Sequence, residues 1–241
     1  MKFDISIRNF GKIDNAIIKL RPFTVLAGPN SSGKSFITKG LYSFFSTINA
    51  DHVSIETLNR TNDLKGLATY LRSTIQNPSR MADDALKSFI SKINTIEEKI
   101  DDAFVKNTFS NQLSRSFLLK EAIDELEKSF DHLIAATSAA KYNKIMEYKD
   151  TIRQKINQLK KIAENPSECL IAGIRNGFIN ALKENFQVSN LSDLKNYHSN
   201  DEDIASFNFD TLGKIEIKKD ALNFSLKSKS IDEFQKLNNV V

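Results

Sequence analysis

Eight consecutive residues, Gly28-Pro29-Asn30-Ser31-Ser32-Gly33-Lys34-Ser35, fit the pattern G-x-x-x-x-G-K-[ST], and a chain carrying it has few folds open to it. Such a loop works only between a strand and a helix, because consecutive main-chain amides must converge where a helix begins. Upstream, Phe23-Thr24-Val25-Leu26-Ala27 is an apolar, β-branched run that predicts a buried parallel strand, with Pro22 confined to its entrance. Downstream, Phe36, Ile37, Gly40, Leu41, Phe44 and Phe45 recur at helical spacing. A Gly/Ser turn carrying a solvated lysine is the competing reading, and it leaves this order of elements unexplained.

Each position has a physical task. Gly28 and Gly33 allow backbone angles and close approach that a Cβ would block, so the amide N–H groups of Asn30-Ser31-Ser32 and their neighbours can wrap an anion. The following helix adds unpaired N–H groups and its dipole. Lys34 supplies a mobile point charge for β- and γ-phosphates, and Ser35 offers a hydroxyl oxygen to Mg²⁺, a hard cation. The expected ligands are ATP and Mg²⁺, and the expected nucleotide-binding residues are Gly28 through Ser35.

At 241 residues and 40% hydrophobic content the chain can hold one large or two small domains with a packed core. No apolar run approaches the ~20 residues that span a bilayer. Phe3, Ile5 and Ile7 alternate with polar residues where a secretory core would be continuous. No membrane association and a cytoplasmic location are therefore expected. Cys169 has no second cysteine to pair with and reads as a small hydrophobe. His52, His132 and His198 lack metal-ligand spacing. Charge is uneven: residues 1–45 hold seven Lys/Arg against two Asp/Glu, a net of +5 within an overall +4. That excess suits a polyanion, either nucleotide alone or nucleotide with DNA.

Phe3-Asp4-Ile5-Ser6-Ile7-Arg8 and Asn15-Ala16-Ile17-Ile18-Lys19-Leu20 flank Asn9-Phe10-Gly11-Lys12-Ile13, which predicts paired strands about a Gly turn. Taken with Pro22-Phe23-Thr24-Val25-Leu26-Ala27 and the loop, this opening resembles the N-terminal lobe of ABC-type AAA ATPases related to structural maintenance of chromosomes, RecF and RecN proteins. Within that group it is most similar to ATPases of the overcoming-lysogenisation-defect and bacterial anti-phage type. The resemblance is close over residues 1–46 and weaker in the strands after residue 203. It implies an α/β phosphate-loop NTPase lobe with a mixed sheet and a large antiparallel helical, coiled-coil-like insertion. It also implies a homo-oligomer or a second ATPase half, and DNA and a nuclease as partners.

From Thr61 to Leu182 glycine and proline are scarce and apolar residues fall at three- and four-residue spacing. One stripe is Ala82, Leu86, Phe89, Ile93, Ile96, Ile100 and Ala103; a second is Leu119, Ile123, Leu126, Phe130 and Leu133. A third is Ile145, Ile152, Ile156, Leu159 and Ala163, with Lys149 on its seam. Pro78 and Pro166 bound the set and Asn107 to Asn111 suggests a turn. Spacing leaves two readings open, a projecting arm and a subdomain whose stripes bury against one another; a short antiparallel helical lid is preferred. Glu97, Glu98, Lys99, Asp101 and Asp102 read as a solvated face.

Beyond Val188, Ile204 to Phe209, Gly213 to Lys218 and Ala221 to Leu226 alternate as strands of a meander. The expected organisation is residues 1–60 as the first part of the ATPase lobe, 61–185 as the helical insertion and 186–241 as strands returning to the lobe, without the C-terminal catalytic segment. The resemblance leads one to look for a signature loop and an apolar strand ending in two acids. Ser228-Lys229-Ser230 lacks the glycine of the first, and no four-residue apolar run followed by acids precedes Val241. Gln76, Gln112 and Gln187 have no context that marks a Mg²⁺-coordinating glutamine, and no catalytic residue is assigned. Two functions remain: an ATPase whose hydrolysis, once completed by a C-terminal lobe or partner, drives head dimerisation in a DNA-linked or anti-phage complex, and a nucleotide-gated interaction module that binds ATP without turnover. A small phosphoryl-transfer kinase fits the loop but not the helical half.

Overall fold

The computed structural model describes residues 3–21, 23–75, 77–105, 112–137, 142–195, 204–209, 212–218 and 221–226. In chain order the elements are β1 (Phe3–Phe10), β2 (Ile13–Leu20), α1 (Lys34–Ile48), α2 (His52–Thr74), α3 (Arg80–Val105), α4 (Gln112–Ala136), α5 (Asn143–Glu164), α6 (Pro166–Phe186), a 3₁₀ turn (Leu191–Leu194), β3 (Ala205–Phe209), β4 (Gly213–Lys218) and β5 (Ala221–Phe224). They fall into two units, Met1–Ala50 with Ile171–Val241, and Asp51–Leu170.

The first unit is a five-stranded sheet in the order β2-β1-β3-β4-β5. Alternation of apolar residues along β1 and β2 folds them back on one another, Ile5 opposite Ile18 and Ile7 opposite Ala16. Ile7 also lies opposite Phe207, and Phe207 opposite Ile215. Residues directly opposite share a face, so Ile5, Ile7, Phe207, Phe209, Ile215 and Ile217 make one apolar face, all buried. Helix α1 lies on it. A Cβ on Gly40 would sit 3.3 Å from both Phe10 and Phe207, and Phe44 stacks on Phe209 with ring centroids 3.7 Å apart. From α6, Phe178 meets Phe44, Phe207 and Phe224 edge to face. Large aromatic rings thus pack among the aliphatic residues of this core.

Two expectations are corrected here. Among the described residues the sheet is wholly antiparallel, not mixed: short connections within the β1–β2 hairpin and the β3–β4–β5 meander permit only antiparallel pairing, and β3 returns antiparallel beside β1. Residues Phe23–Ala27 form no strand and are exposed, with Phe23 at 85% and Val25 at 67%. A buried parallel strand needs neighbours on both edges, and the described residues offer it none.

In the second unit, α3 packs on α4, α4 on α5, α5 on α2 and α2 on α3. Cross-helix pairs give the direction. Lys92 meets Glu125 while Ser88 meets Ser129, and Lys155 meets Asp63 while Gln158 meets Arg60. Position rises in one helix as it falls in the next, so these neighbours run antiparallel in a four-helix bundle. The three stripes are its inner faces. Leu86, Phe89, Ile93, Ile96 and Ile100 pack with Leu119, Ile123, Leu126, Phe130, Leu133, Ile145, Ile152, Ile156 and Leu159 in one cluster. The side chain of Ala103 and the stretch Asn107 to Asn111 lie outside the described residues. Helix α2 starts at His52, ahead of Thr61, with Asp51 capping it by accepting from the Ser54 amide at 3.1 Å. Pro166 opens α6 rather than closing the helical set, a position where its missing N–H costs nothing.

Candidate functional site

The loop Gly28–Ser35 lies in the first unit, and its shape follows from residue type. Ser31 and Gly33 take positive φ, 63° and 86°, so the chain reverses twice before α1 begins at Lys34. Gly33 stands as the residue preceding the helix, in the left-handed region and without a side-chain cap. The first helical bond is Ile37 N–H to the Gly33 carbonyl at 3.1 Å. The amides of Lys34, Ser35 and Phe36 therefore have no acceptor within the helix. No acidic residue occupies the first turn of α1, which leaves its positive end unneutralised. Helix α2, by contrast, receives the Asp51 carboxylate at the same place.

Gly28, Pro29, Asn30, Ser31, Ser32 and Ser35 are exposed and Gly33 is buried. The Lys34 ammonium folds over the loop, donating to the Gly28 carbonyl at 2.7 Å and the Pro29 carbonyl at 2.6 Å, with Ser32 Oγ at 3.4 Å. A cation is thereby held against the main chain of the loop. The Ser35 hydroxyl stands exposed at the first turn. Donor amides, a lysine and a hydroxyl, with no acid in the first turn of α1, fit a phosphate chain with its Mg²⁺.

What supports the loop was not visible in the motif. Gly11 takes φ 57°, and a Cβ there would lie 2.0 Å from Cδ1 of Phe36. Its amide donates to the Leu194 carbonyl at 2.8 Å. A Cβ on Gly33 would lie 3.1 Å from Cγ1 of Ile13 and 3.9 Å from Cβ of Lys12. The β1–β2 turn is thus pressed against the loop at two points. The alternation that predicts this hairpin is a local signal; its seat on the loop is a tertiary contact. Lys39, whose ammonium donates to the Asn185 carbonyl at 2.8 Å beside the Phe186 ring, ties α1 to α6.

Of the other singled-out residues, Gln187 follows Phe186, whose ring meets that of Phe36, one residue past Ser35, with centroids 5.1 Å apart. Gln187 lies in the turn after α6 with φ 56°; Gln76 and the Gln112 side chain lie outside the described residues. So do Pro22, His198 and Ser228-Lys229-Ser230. His52 and His132 stand on separate helices, α2 and α4. Cys169 is half-buried in α6, and burial pushes its thiol up to about 11, so it stays protonated and unreactive at neutral pH. Among the described residues no helix is long and apolar enough to cross a membrane.

Searches of the curated proteins and of the solved structures found no match. A family model described as an AAA ATPase domain matches residues 1–240, and by that match the chain belongs to the AAA ATPase domain family.

Proposed function

We propose that Gly28–Ser35 binds Mg-ATP and that hydrolysis, once a C-terminal lobe or partner completes the site, drives association of two ATPase heads. Membership of the AAA ATPase domain family supports nucleotide binding and ATPase chemistry. The observation that carries the loop assignment is the bare start of α1: a left-handed Gly33, no side-chain cap, no acid in the first turn, and the Lys34 ammonium folded onto the Gly28 and Pro29 carbonyls. Bound there, Mg²⁺ would screen phosphate charge and polarise the transferring group. Gly33 and the first amides of α1 would hold the phosphates, Lys34 would balance their charge, and Ser35 would be the protein ligand of the metal.

Completion by further polypeptide is supported by the exposed Phe23, Val25 and Leu26, a strand-like sequence directly before the loop. Exposed apolar runs of this kind mark surfaces that another chain segment covers. In this reading the chain is of the structural-maintenance-of-chromosomes type, and the helical unit is an insertion in the head that relays assembly to DNA or a nuclease within a repair or anti-phage complex. The net +5 of residues 1–45 supports a polyanionic partner.

The test is assembly and phosphate release measured together, with Mg-ATP and with Mg-ADP. Wild type should self-associate, or join its completing half, only with Mg-ATP, and Ser35→Ala should remove the Mg²⁺ dependence along with turnover. Assembly that ignores nucleotide, or that Ser35→Ala leaves unchanged, defeats the proposal.

A further inference from the structure

We infer that Lys12, in the β1–β2 turn, is a second cation of the phosphate loop and contacts the bound nucleotide's phosphates alongside Lys34. This rests on the Mg-ATP reading of Gly28–Ser35 and adds a residue that the motif does not contain. Geometry supplies the first reason. The Lys12 Cβ would lie 3.9 Å from a Cβ on Gly33, the residue directly before the helix's unpaired amides. From there a flexible four-carbon stem carries the ammonium.

The turn's position is fixed, which supplies the second reason. Phe36 fills the space where Gly11 would have a Cβ, Ile13 abuts Gly33, and the Gly11 amide is anchored on the Leu194 carbonyl. A cation on so constrained a turn loses little freedom in meeting an anion held by the neighbouring amides.

Elimination supplies the third. Arg21 is paired with Asp4 at 2.8 Å, and Lys39 is bonded to the Asn185 carbonyl. Arg8 and Lys19 lie opposite Ser206 and Asp4, on the sheet face turned away from α1, since β-strand side chains alternate. Lys12 is exposed, and among the described residues no carboxylate pairs with it. Of the positive charges among the described residues of this segment it is the one, besides Lys34, placed beside the loop.

The experiment titrates Mg-ATP and Mg-ADP into the full chain at two salt concentrations, for wild type, Lys12→Ala, Lys12→Arg and Lys34→Ala. Lys12→Ala should weaken both nucleotides about tenfold, the scale of one charged hydrogen bond, and flatten the salt dependence. Lys12→Arg should restore most of the affinity, and the melting temperature of Lys12→Ala should match wild type. If Lys12→Ala binds as wild type while Lys34→Ala does not bind, the inference fails and the loop reading stands. If Lys12→Ala loses affinity only together with melting temperature, and Arg does not rescue it, Lys12 is structural and the inference again fails. Absence of binding by wild type removes both.

Discussion

The helical unit builds its core mostly from helices consecutive in sequence, with α5 closing back on α2, whereas the sheet unit draws its core from both ends of the chain. Phe89 and Phe130, on adjacent helices, face each other with centroids 5.5 Å apart. Phe44 instead stacks on Phe209, and Phe10 meets Phe207 at 4.7 Å. The bundle can close one helix pair at a time, each step costing only a short loop. The sheet forms only when β3 finds β1 across the intervening helices. Self-sufficiency differs accordingly: Leu86 to Ile100, Leu119 to Leu133 and Ile145 to Leu159 bury their stripe residues in one cluster, while the sheet unit leaves Phe23 and Val25 in solvent. The unit proposed to bind nucleotide is the one that depends on distant, and proposed further, contacts.

The largest expected effects probe those two cores. Phe89→Ala and Phe44→Ala both remove a fully buried ring, and each should cost about 3–5 kcal/mol in denaturant unfolding. A much smaller loss for Phe44→Ala would show that the stacked aromatics do not hold the sheet unit together. Separate probes for helix and sheet signals keep the two transitions distinct.

Glycines give an effect of opposite sign in the two units. At Gly11 an alanine meets Phe36 and a positive φ together, and Gly11→Ala should destabilise by about 1–3 kcal/mol. It should also weaken Mg-ATP binding by displacing Phe36 beside Ser35. Gly66 in α2 is exposed with nothing within 4 Å of an added Cβ. Gly66→Ala should stabilise by about 0.5–1 kcal/mol. Equal effects at the two positions in thermal denaturation would erase the contrast.

Much of the bundle was legible because a helical stripe is a local property. Leu86, Phe89 and Ile93 face one way by backbone geometry alone, and burial follows once any partner arrives. Helix α2 was harder to place: Thr57 and Thr61 sit in buried positions, bonding to the Val53 and Leu58 carbonyls, so its apolar stripe is broken. At the end of α5 the buried residue is Ile162, and Ala163 is only partly covered. The phosphate loop was legible as a motif with a helix behind it. The strand expected before it was not, because a strand is defined by partners elsewhere and Phe23–Ala27 has none among the described residues. The Gly11–Phe36 contact was equally hidden, since nothing in a turn glycine says which ring will fill its missing side chain.

The smallest expected effect is electrostatic. The hydrogen bond from Lys155 holds the Asp63 carboxyl below its usual range. Its folded pKa is depressed, so the stabilisation is present above the unfolded carboxylate value and is lost as pH falls through the folded one. The pair is exposed, and Lys155→Ala should cost less than about 1 kcal/mol near neutrality. The difference should vanish in acid. A cost that persists at low pH would point to packing by the lysine stem instead.

Equilibrium titration of Mg-ATP into the full chain, wild type beside Lys34→Ala, decides whether the Gly28–Ser35 loop grips a triphosphate. Saturable binding by wild type and none by the variant, with its fold retained by circular dichroism, is the expected outcome. Equal affinity in the two proteins would remove the phosphate loop from the mechanism altogether.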